Sequence, residues 1–234
     1  MRKVLILGGT TEGVQVANKL SEDQSLILIT SLAGRTQSPN KVRGLLRTGG
    51  FGGIEGLVRY LDTENISAVL DATHPFATQM TRNALSACAR AQVPFARFAR
   101  EPWTAQVGDD WQNVENITCA IRAIPSGSRA FVTTGRLKLE PYFARDDIWI
   151  LARVIDPPVF QVERSRGTII SKRGPFRTEE EVQLMVSNKI DLVVSKNSGG
   201  KSSYGKILAA RRLGLKVIMV RQPEYNIGKL VFYS

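Results

Sequence analysis

Short apolar segments rich in β-branched residues alternate with segments of helical length along the whole chain. In the first half these apolar segments are KVLILG (3–8), LILIT (26–30), LLRTG (45–49), AVLDA (68–72) and VPFARF (93–98). Such runs lack polar alternation, which is typical of strands buried on both faces of a sheet. Because helical segments separate them, we predict βαβ units, a parallel sheet and an α/β fold class.

The second half repeats this alternation after a segment of small residues at 126–128. The helix before residue 191 is predicted to open with a capping box of Thr178 and Glu181, and the last helix to end at Gly214. A chain of 234 residues is long enough for two small domains. We therefore predict two α/β domains, at residues 1–127 and 128–234. The strands of the second are expected at 130–135, 149–155, 168–174, 191–200 and 216–223.

The chain begins with an apolar segment, MRKVLILGGT, that could be mistaken for a signal peptide. Its apolar core is short and leads directly into a glycine turn, so we predict that it forms the first strand. No apolar run approaches the length of a membrane span. The two cysteines, Cys88 and Cys119, are too few and too scattered for a disulfide framework or a zinc site. We expect a cytoplasmic protein without a metal or a membrane partner, with Cys88 in the core.

The formal net charge of +11 is concentrated in the second half of the chain. Residues 1–128 contain 13 Lys/Arg and 11 Asp/Glu, whereas residues 129–234 contain 19 and 10. Such an excess favours an anionic partner. The basic residues are dispersed, without the basic runs or interleaved aromatics typical of nucleic-acid binding, so a multiply anionic small molecule fits equally well. The alternative is a basic solvated surface.

Ligands in open α/β sheets bind at the carboxyl ends of strands, so the loops that follow strands are the candidate sites. The first is GGTTEG (8–13). Gly8 and Gly9 permit a tight turn, while Thr10 and Thr11 can cap a helix whose N-terminus favours a phosphate. Thr10 stands where the dinucleotide pattern G-x-G-x-x-G has its second glycine. The alternative is therefore a simple strand–helix turn.

The second loop, TSLAGRT (30–36), lacks the acidic residue that binds the ribose hydroxyls in NAD-binding sheets. It offers Ser31, Arg35 and Thr36 instead, whose hydroxyls and guanidinium would suit a 2′-phosphate. A nicotinamide cofactor bound here is therefore predicted to be NADP. The alternative is a solvated loop arginine.

The third loop, TGGFGG (48–53), places four glycines around Phe51. Its free backbone amides suit close approach to a flat or phosphorylated ligand, and Gly50 is the candidate contact. The alternative is a turn in which Phe51 fills the core.

The single histidine of the chain, His74, lies in DATHPFA, between a strand and a helix predicted to begin at Pro75. Asp71 closes the strand and could orient the imidazole or tune its acidity, which makes Asp71 and His74 the candidate catalytic residues. Alternatively, Thr73 or His74 simply caps the helix.

The fifth loop, SKNSGGKSS (195–203), differs from a P-loop at one position. Ser195 stands where the pattern G-x-x-x-x-G-K-[ST] has its first glycine, whereas Gly200, Lys201 and Ser202 match. A P-loop-like nucleotide-binding enzyme is therefore the alternative function. No apolar strand ending in Asp follows the loop, so we interpret it as a basic glycine-rich anion cradle.

Together these loops resemble those of the precorrin-6A reductase family of cobalamin biosynthesis, including its cobalt-precorrin members. The resemblance implies two Rossmann-like domains, with NADPH and an anionic tetrapyrrole in a cleft between them. It also implies hydride transfer from the nicotinamide to a macrocycle carbon, with a proton added at the neighbouring carbon. The stretches that carry it span nearly the whole chain: ILGGTTEG, RTGGFGG, DATHPFA, FVTTGR, KRGPF and KNSGGKSSYGKILAARRLG.

The resemblance also implies roles for the loops. Asp71 and His74 would lie near the nicotinamide, with His74 as the candidate general acid and water as the alternative proton donor. The substrate carboxylates would be bound by basic residues of the second domain, namely Arg136, Arg153, Arg173, Lys201 and Lys206. The cofactor would be held by Gly8, Gly9, Thr10, Thr11, Ser31, Arg35, Thr36, Gly50, Thr73, Thr134, Gly135, Lys196, Asn197, Ser198 and Gly199.

Overall fold

The computed structural model describes residues 1–34, 42–225 and 231–233. Within this part of the chain lie the following strands and α-helices, together with a 3₁₀ helix at Arg136–Lys138: β1 (Arg2–Leu7), α1 (Thr11–Leu20), β2 (Leu26–Leu32), β3 (Leu45–Thr48), α2 (Gly53–Thr63), β4 (Ile66–Asp71), α3 (Thr78–Ala91), β5 (Phe95–Ala99), β6 (Asp110–Val114), α4 (Ile117–Ala123), β7 (Arg129–Val132), α5 (Glu140–Phe143), β8 (Trp149–Val154), β9 (Gly167–Ser171), α6 (Thr178–Ser187), β10 (Leu192–Lys196), α7 (Gly205–Leu213), β11 (Lys216–Val220) and β12 (Val231–Tyr233).

The chain divides into two compact units, Met1–Glu101 with Pro223–Ser234, and Pro102–Gln222. These limits differ from the division predicted after residue 127. Strand pairing explains the difference, since β6 pairs with β11 in the second sheet and β12 pairs with β5 in the first. The C-terminal segment thus returns to the unit in which the chain begins.

Unit 1 contains a six-stranded parallel sheet with the strand order β12-β5-β4-β1-β2-β3. Leu5 and Leu7 of β1 pack into a cluster with α2 and α3, whereas Ile6 packs with Ala17 of α1 on the opposite face. Burial on both faces explains why β1 reads as a continuous apolar run. Cys88 is buried in the first cluster and burial raises its pKa to about 12, so its predicted place in the core is confirmed.

Unit 2 repeats this topology with the order β6-β11-β10-β7-β8-β9, again with parallel pairing throughout the described strands. In both sheets the first strand of the unit's βαβ series lies in the middle, and the strand order reverses beside it. The switch points lie between β1 and β4 in unit 1, and between β7 and β10 in unit 2. The predicted α/β class with two parallel, Rossmann-like sheets is confirmed.

Two local predictions need correction. Helix α3 begins at Thr78 rather than at Pro75, which lies in a turn before it. Glu181 forms no capping box, because its carboxylate accepts hydrogen bonds from Arg153 and the N-cap residue of α6 is Arg177. The elements β6, α4 and β12 were not predicted. Gly214 does end α7 in the left-handed conformation, with φ of 64°.

None of the described helices is long and apolar enough to cross a membrane.

Candidate functional site

Three of the five loops singled out from the sequence, those after β1, β4 and β10, follow strands that flank the two switch points. In unit 1, residues 8–13 follow β1 and residues 72–77 follow β4. Leu7 and Asp71, the last residues of these strands, are paired in register. Both loops therefore emerge side by side at the carboxyl edge of the sheet, where ligands of open α/β sheets bind.

The glycine turn after β1 is held by Thr10. The Thr10 hydroxyl donates to the Ala72 carbonyl (2.9 Å) and accepts from the Gly13 amide (2.9 Å), so it caps α1 and ties the two loops together. A Cβ on Gly13 would lie 3.2 Å from the Ala72 carbonyl oxygen, so this glycine allows close packing of the helix on the loop after β4. Thr10 is 8% exposed, which shows that the residue replacing the second glycine points into the turn.

The turn also fits an anionic group. Gly9 has φ of +115° and open space where a Cβ would stand, and Thr11 is exposed. The first amides of a helix have no intrahelical carbonyl to bind and carry the positive end of the helix dipole. Glu12 would repel an anion here, but it forms a nearly buried ion pair with Arg100. The backbone amides, rather than the Thr10 hydroxyl, are thus the groups available to a phosphate.

Asp71 lies under the loop after β4 rather than on its surface. Its carboxylate is fully buried and accepts hydrogen bonds from the Thr73 amide and hydroxyl, from the Thr81 hydroxyl (2.7 Å) and from Arg97. These bonds hold the loop after β4 on the end of the strand, and the carboxylate does not reach the surface of the site. The catalytic role of Asp71 stays a prediction.

His74 closes a turn in front of α3. Its Nδ1 accepts a hydrogen bond from the Phe76 amide (3.2 Å), and its carbonyl accepts one from Ala77 (2.8 Å). A ring nitrogen that accepts carries no proton, so this hydrogen bond assigns the ring N–H to Nε2. Neither Thr73 nor His74 caps α3, because the helix begins later; His74 caps the turn instead.

Tyr225 joins this network although nothing in the sequence pointed to it. Its hydroxyl donates to the Pro75 carbonyl (2.9 Å), and its ring lies 4.6 Å from the Arg97 guanidinium. Burial raises the pKa of Tyr225, which keeps the hydroxyl a donor. The returning C-terminal segment therefore braces the loop that carries His74.

The loops after β2 and β3 lie next to the glycine turn. The Ser31 carbonyl accepts from the Gly8 amide (2.9 Å), and the Ser31 hydroxyl accepts from Arg47 (3.3 Å). Arg47 also donates to the carbonyl of Gly50 (2.8 Å). Arg35 and Thr36, the other residues predicted to bind a 2′-phosphate, lie outside the described residues. Phe51 packs against the core cluster of unit 1 as well as against Arg47.

In unit 2 the loops after β7 and β10 flank the second switch point. The Thr133 amide donates to the Val194 carbonyl (2.9 Å), which ties the two strand ends together. Thr134 is buried beside Tyr142, and burial raises the pKa of Tyr142 to about 12. Gly135 has φ of +88° and open space around it. Burial, with a further contribution from the charge of Lys138, lowers the pKa of Lys196 to about 8.

The loop after β10 forms a socket for Trp103. Both ends of the Asn197 amide bind the Trp103 backbone, at 2.7 and 2.8 Å, and the Trp103 indole donates to the Gly200 carbonyl (2.9 Å). Gly199 and Gly200 have φ of +65° and +70°. Asn197 and Gly199 are buried, as is Ser198, which lies 3.5 Å from the Ser203 hydroxyl. The Asn197 side chain thus has a structural role in this loop, and its contact with the cofactor stays a prediction.

Two of the five basic residues predicted to bind substrate are buried. Arg153 forms a bidentate ion pair with Glu181 and stacks on Phe176, with 3.5 Å from guanidinium carbon to ring centre. Lys206 is 4% exposed and donates to the Ser203 carbonyl (2.6 Å). Burial lowers the pKa of Lys206 to about 7, with a further contribution from Arg153. Both side chains are therefore enclosed within unit 2. Arg173 and Lys201 are exposed and Arg136 is half-buried.

Arg136 lines a groove of about 920 Å³ on unit 2. The groove runs beside the 3₁₀ helix that follows Gly135, and its wall is mainly apolar. Three of its lining residues are cations, Arg122, Arg136 and Lys138, against one acid, Glu140. The apolar wall includes Ile117, Ile121, Leu137, Pro158, Val159 and Phe160.

The comparisons with known proteins agree with one another. A sequence model of the family described as "Precorrin-6x reductase CbiJ/CobK" matches residues 3–232. The precorrin-6A reductase of Rhodobacter capsulatus is 42% identical over 95% of this chain and 89% of that protein, and that of Mycobacterium tuberculosis is 40% identical over 97% and 92%. The cobalt-precorrin-6A reductase of Priestia megaterium is 25% identical over 96% and 92%. The solved structure of a CobK precorrin-6A reductase is similar, with a TM-score of 0.91, 40% identity and coverage of 99% and 92%.

Proposed function

The chain belongs to the precorrin-6x reductase family, and we propose that it reduces precorrin-6A to precorrin-6B by hydride transfer from NADPH. The observation that carries this proposal is the placement of the family-like loops. Four of them follow the strands on both sides of each switch point, β1 and β4 in unit 1, and β7 and β10 in unit 2. These are the positions at which an open α/β sheet binds its ligands.

NADPH fits unit 1. The amides at the start of α1 would bind the pyrophosphate, with Gly9 allowing close approach and Arg100 neutralising Glu12. The glycines at 49, 50, 52 and 53 leave open space beside the end of β3 for the adenosine half. The nicotinamide supplies the hydride, and the protein supplies orientation and electrostatics.

The loop after β4 orients the nicotinamide half. Asp71 fixes this loop by accepting a hydrogen bond from the Thr73 hydroxyl, and Tyr225 stabilises it by donating one to the Pro75 carbonyl. His74 contributes a ring whose Nδ1 accepts a hydrogen bond from the Phe76 amide. An imidazolium would lose that hydrogen bond, so we assign His74 to positioning and the proton at the neighbouring macrocycle carbon to water.

The tetrapyrrole fits the groove of unit 2. Its acetate and propionate carboxylates would bind to Arg122, Arg136 and Lys138 as charge-assisted pairs. The flat macrocycle would lie against the apolar wall, where Leu137 and Val159 are exposed. Thr133 through Gly135 and the half-buried Lys196 lie at the carboxyl edge of the same sheet.

The substrate without cobalt is favoured by the comparisons. The relatives named precorrin-6A reductase are about 40% identical to this chain, and the cobalt-precorrin relative is 25% identical. We therefore expect precorrin-6A to be reduced faster than its cobalt form.

A steady-state assay tests the proposal. Purified protein is mixed with NADPH and either precorrin-6A or cobalt-precorrin-6A, and loss of NADPH absorbance is followed. The proposal requires consumption of NADPH that depends on a precorrin-6A substrate. Failure to consume NADPH with either tetrapyrrole, combined with magnesium-dependent ATP binding, would instead support the P-loop-like alternative suggested by residues 195–203.

A further inference from the structure

Glu140 is the one acid among the described residues that line the groove of unit 2. The other charged residues of the lining are cations, Arg122 on α4, and Arg136 and Lys138 on the 3₁₀ helix that leads to Glu140. A carboxylate on this wall weakens the binding of a multiply anionic molecule, because like charges repel. An acid is therefore unexpected in a groove that serves affinity alone.

The charge of Glu140 is not cancelled by the cations beside it. The residue is exposed, and it forms no ion pair with any cation of the described part of the chain. Within the same part of the chain, Arg122, Arg136 and Lys138 have no acidic ion-pair partner either. The groove therefore presents separate positive and negative charges to a ligand.

The backbone that carries Glu140 is anchored in unit 2. Leu139 and Tyr142, on either side of it, are 1% and 0% exposed. The Tyr142 amide donates to the Leu139 carbonyl (3.0 Å), and Pro141 restricts the backbone at the start of α5. The negative charge therefore has a defined place on the wall, directly after the two cations of the 3₁₀ helix.

A tetrapyrrole of the proposed substrate class can enter such a groove in several orientations. Its four five-membered rings are alike in size, and acetate and propionate carboxylates stand around the rim of the macrocycle. Turning the macrocycle in its own plane therefore brings another set of carboxylates to the same cations. In the proposed reaction hydride adds to one carbon, so one orientation is productive and the others occupy the groove without reaction.

We propose that Glu140 selects the productive orientation of the tetrapyrrole by excluding substrate carboxylates from one edge of the groove. The inference rests on the proposed function and deepens it, because it names a residue that determines specificity. Arg122, Arg136 and Lys138 attract the rim of the substrate wherever it carries carboxylates, so they discriminate poorly among orientations. Glu140 adds the repulsive element that specificity often requires. In the productive orientation, a stretch of rim without a carboxylate lies beside it.

Steady-state kinetics with NADPH and precorrin-6A test this role in Glu140→Gln, Glu140→Lys and Glu140→Asp. Unproductive binding lowers kcat and KM by the same factor, because it occupies the site but leaves the barrier from free enzyme and free substrate unchanged. We expect Glu140→Gln to lower both by about three- to tenfold, the scale of one contact between like charges in water. The ratio kcat/KM should stay constant. Glu140→Lys should lower both further, and Glu140→Asp should resemble the wild type.

Asp146→Asn is the matched control, because it removes an exposed acid of unit 2 that precedes the amino end of β8 and does not line the groove. It should leave kcat and KM unchanged. All assays contain about 0.3 M salt, which shortens the range of electrostatic attraction between protein and substrate.

Any result in which Glu140→Gln does not lower kcat and KM together would overturn the inference. A lower KM at constant kcat would mean that Glu140 only weakens the binding of an anion. A lower kcat at constant KM would give Glu140 a part in the reaction step. The inference also fails if Glu140→Asp behaves like Glu140→Gln. The proposed reaction fails separately, if the wild-type protein itself leaves precorrin-6A unreduced.

Discussion

Asp71 and Arg97 form an ion pair beneath the loop that carries His74, with side chains that are 0% and 3% exposed. The pair joins the end of β4 to β5, and Thr73, Thr81 and Tyr225 attach to it. The loop that we propose orients the nicotinamide is therefore held by charges that do not reach the solvent.

The first prediction concerns the stability of this pair. Asp71→Asn leaves Arg97 buried without its anion, and removing one partner of a buried pair costs about 3–5 kcal/mol. We expect a loss of that order in the free energy of unfolding, measured by urea denaturation. Glu179→Gln is the control, because the Glu179–Arg212 pair is exposed and should contribute little to stability. Equal stabilities for the two variants would show that Asp71 is not the anchor we describe.

The second prediction separates positioning from acid catalysis at His74. Asn retains an acceptor for the Phe76 amide, whereas Ala does not. We expect His74→Asn to keep most of the turnover and His74→Ala to lose more, measured as kcat with NADPH and precorrin-6A. If His74 is the general acid, both variants should lose about a hundredfold, the usual scale of acid–base catalysis. That outcome would restore the catalytic role predicted from the sequence.

The third prediction concerns the buried Lys206. Its pKa is lowered to about 7 in the folded protein, so the unfolded chain binds more protons above that pH. Stability should therefore rise from about pH 7 towards the ordinary lysine pKa, by up to about 1.4 kcal/mol per pH unit. Lys206→Met should be more stable than the wild type near pH 7 and should lack this contribution to the rise. Parallel pH dependences in urea denaturation of the two proteins would contradict the assignment.

The fourth prediction tests the groove of unit 2. Arg136→Met and Lys138→Met should each raise the KM for precorrin-6A by up to about tenfold and leave NADPH affinity unchanged, because they remove partners of substrate carboxylates. Added salt should raise the KM of the wild-type protein, because it screens the attraction between these cations and the substrate carboxylates. Lys216→Met, at the amino end of β11, is the exposed control. If Arg136→Met and Lys138→Met keep the wild-type KM, as the control should, the substrate binds elsewhere.

The positions of the loops were predictable because they depend on local patterns. Glycine and hydroxyl residues directly after apolar strands mark turns at a sheet edge, and parallel topology brings those turns together. Thr10 illustrates the limit of such patterns: its type indicated a cap, which it forms, but its bond to Ala72 spans 62 residues and is invisible in the sequence.

Burial of the charged residues was not predictable, because their partners lie far away in the sequence. Arg153 and Arg136 are alike in the sequence, yet Arg153 meets Glu181 from a helix 28 residues away and is removed from the surface. Asp71 likewise acquires its partner Arg97 only when β5 pairs with β4. The roles of Asn197 and Tyr225 also depend on residues far along the chain, Trp103 and Pro75.

The central claim is hydride transfer from NADPH to precorrin-6A, and isotope transfer tests it most directly. The protein is incubated with precorrin-6A and NADPH carrying deuterium at either face of nicotinamide C4, and the product is examined by mass spectrometry. The account predicts that one of the two cofactors delivers one deuterium to the macrocycle, together with one hydrogen from the solvent. Reduced product without deuterium from either cofactor, or unchanged precorrin-6A, would contradict it.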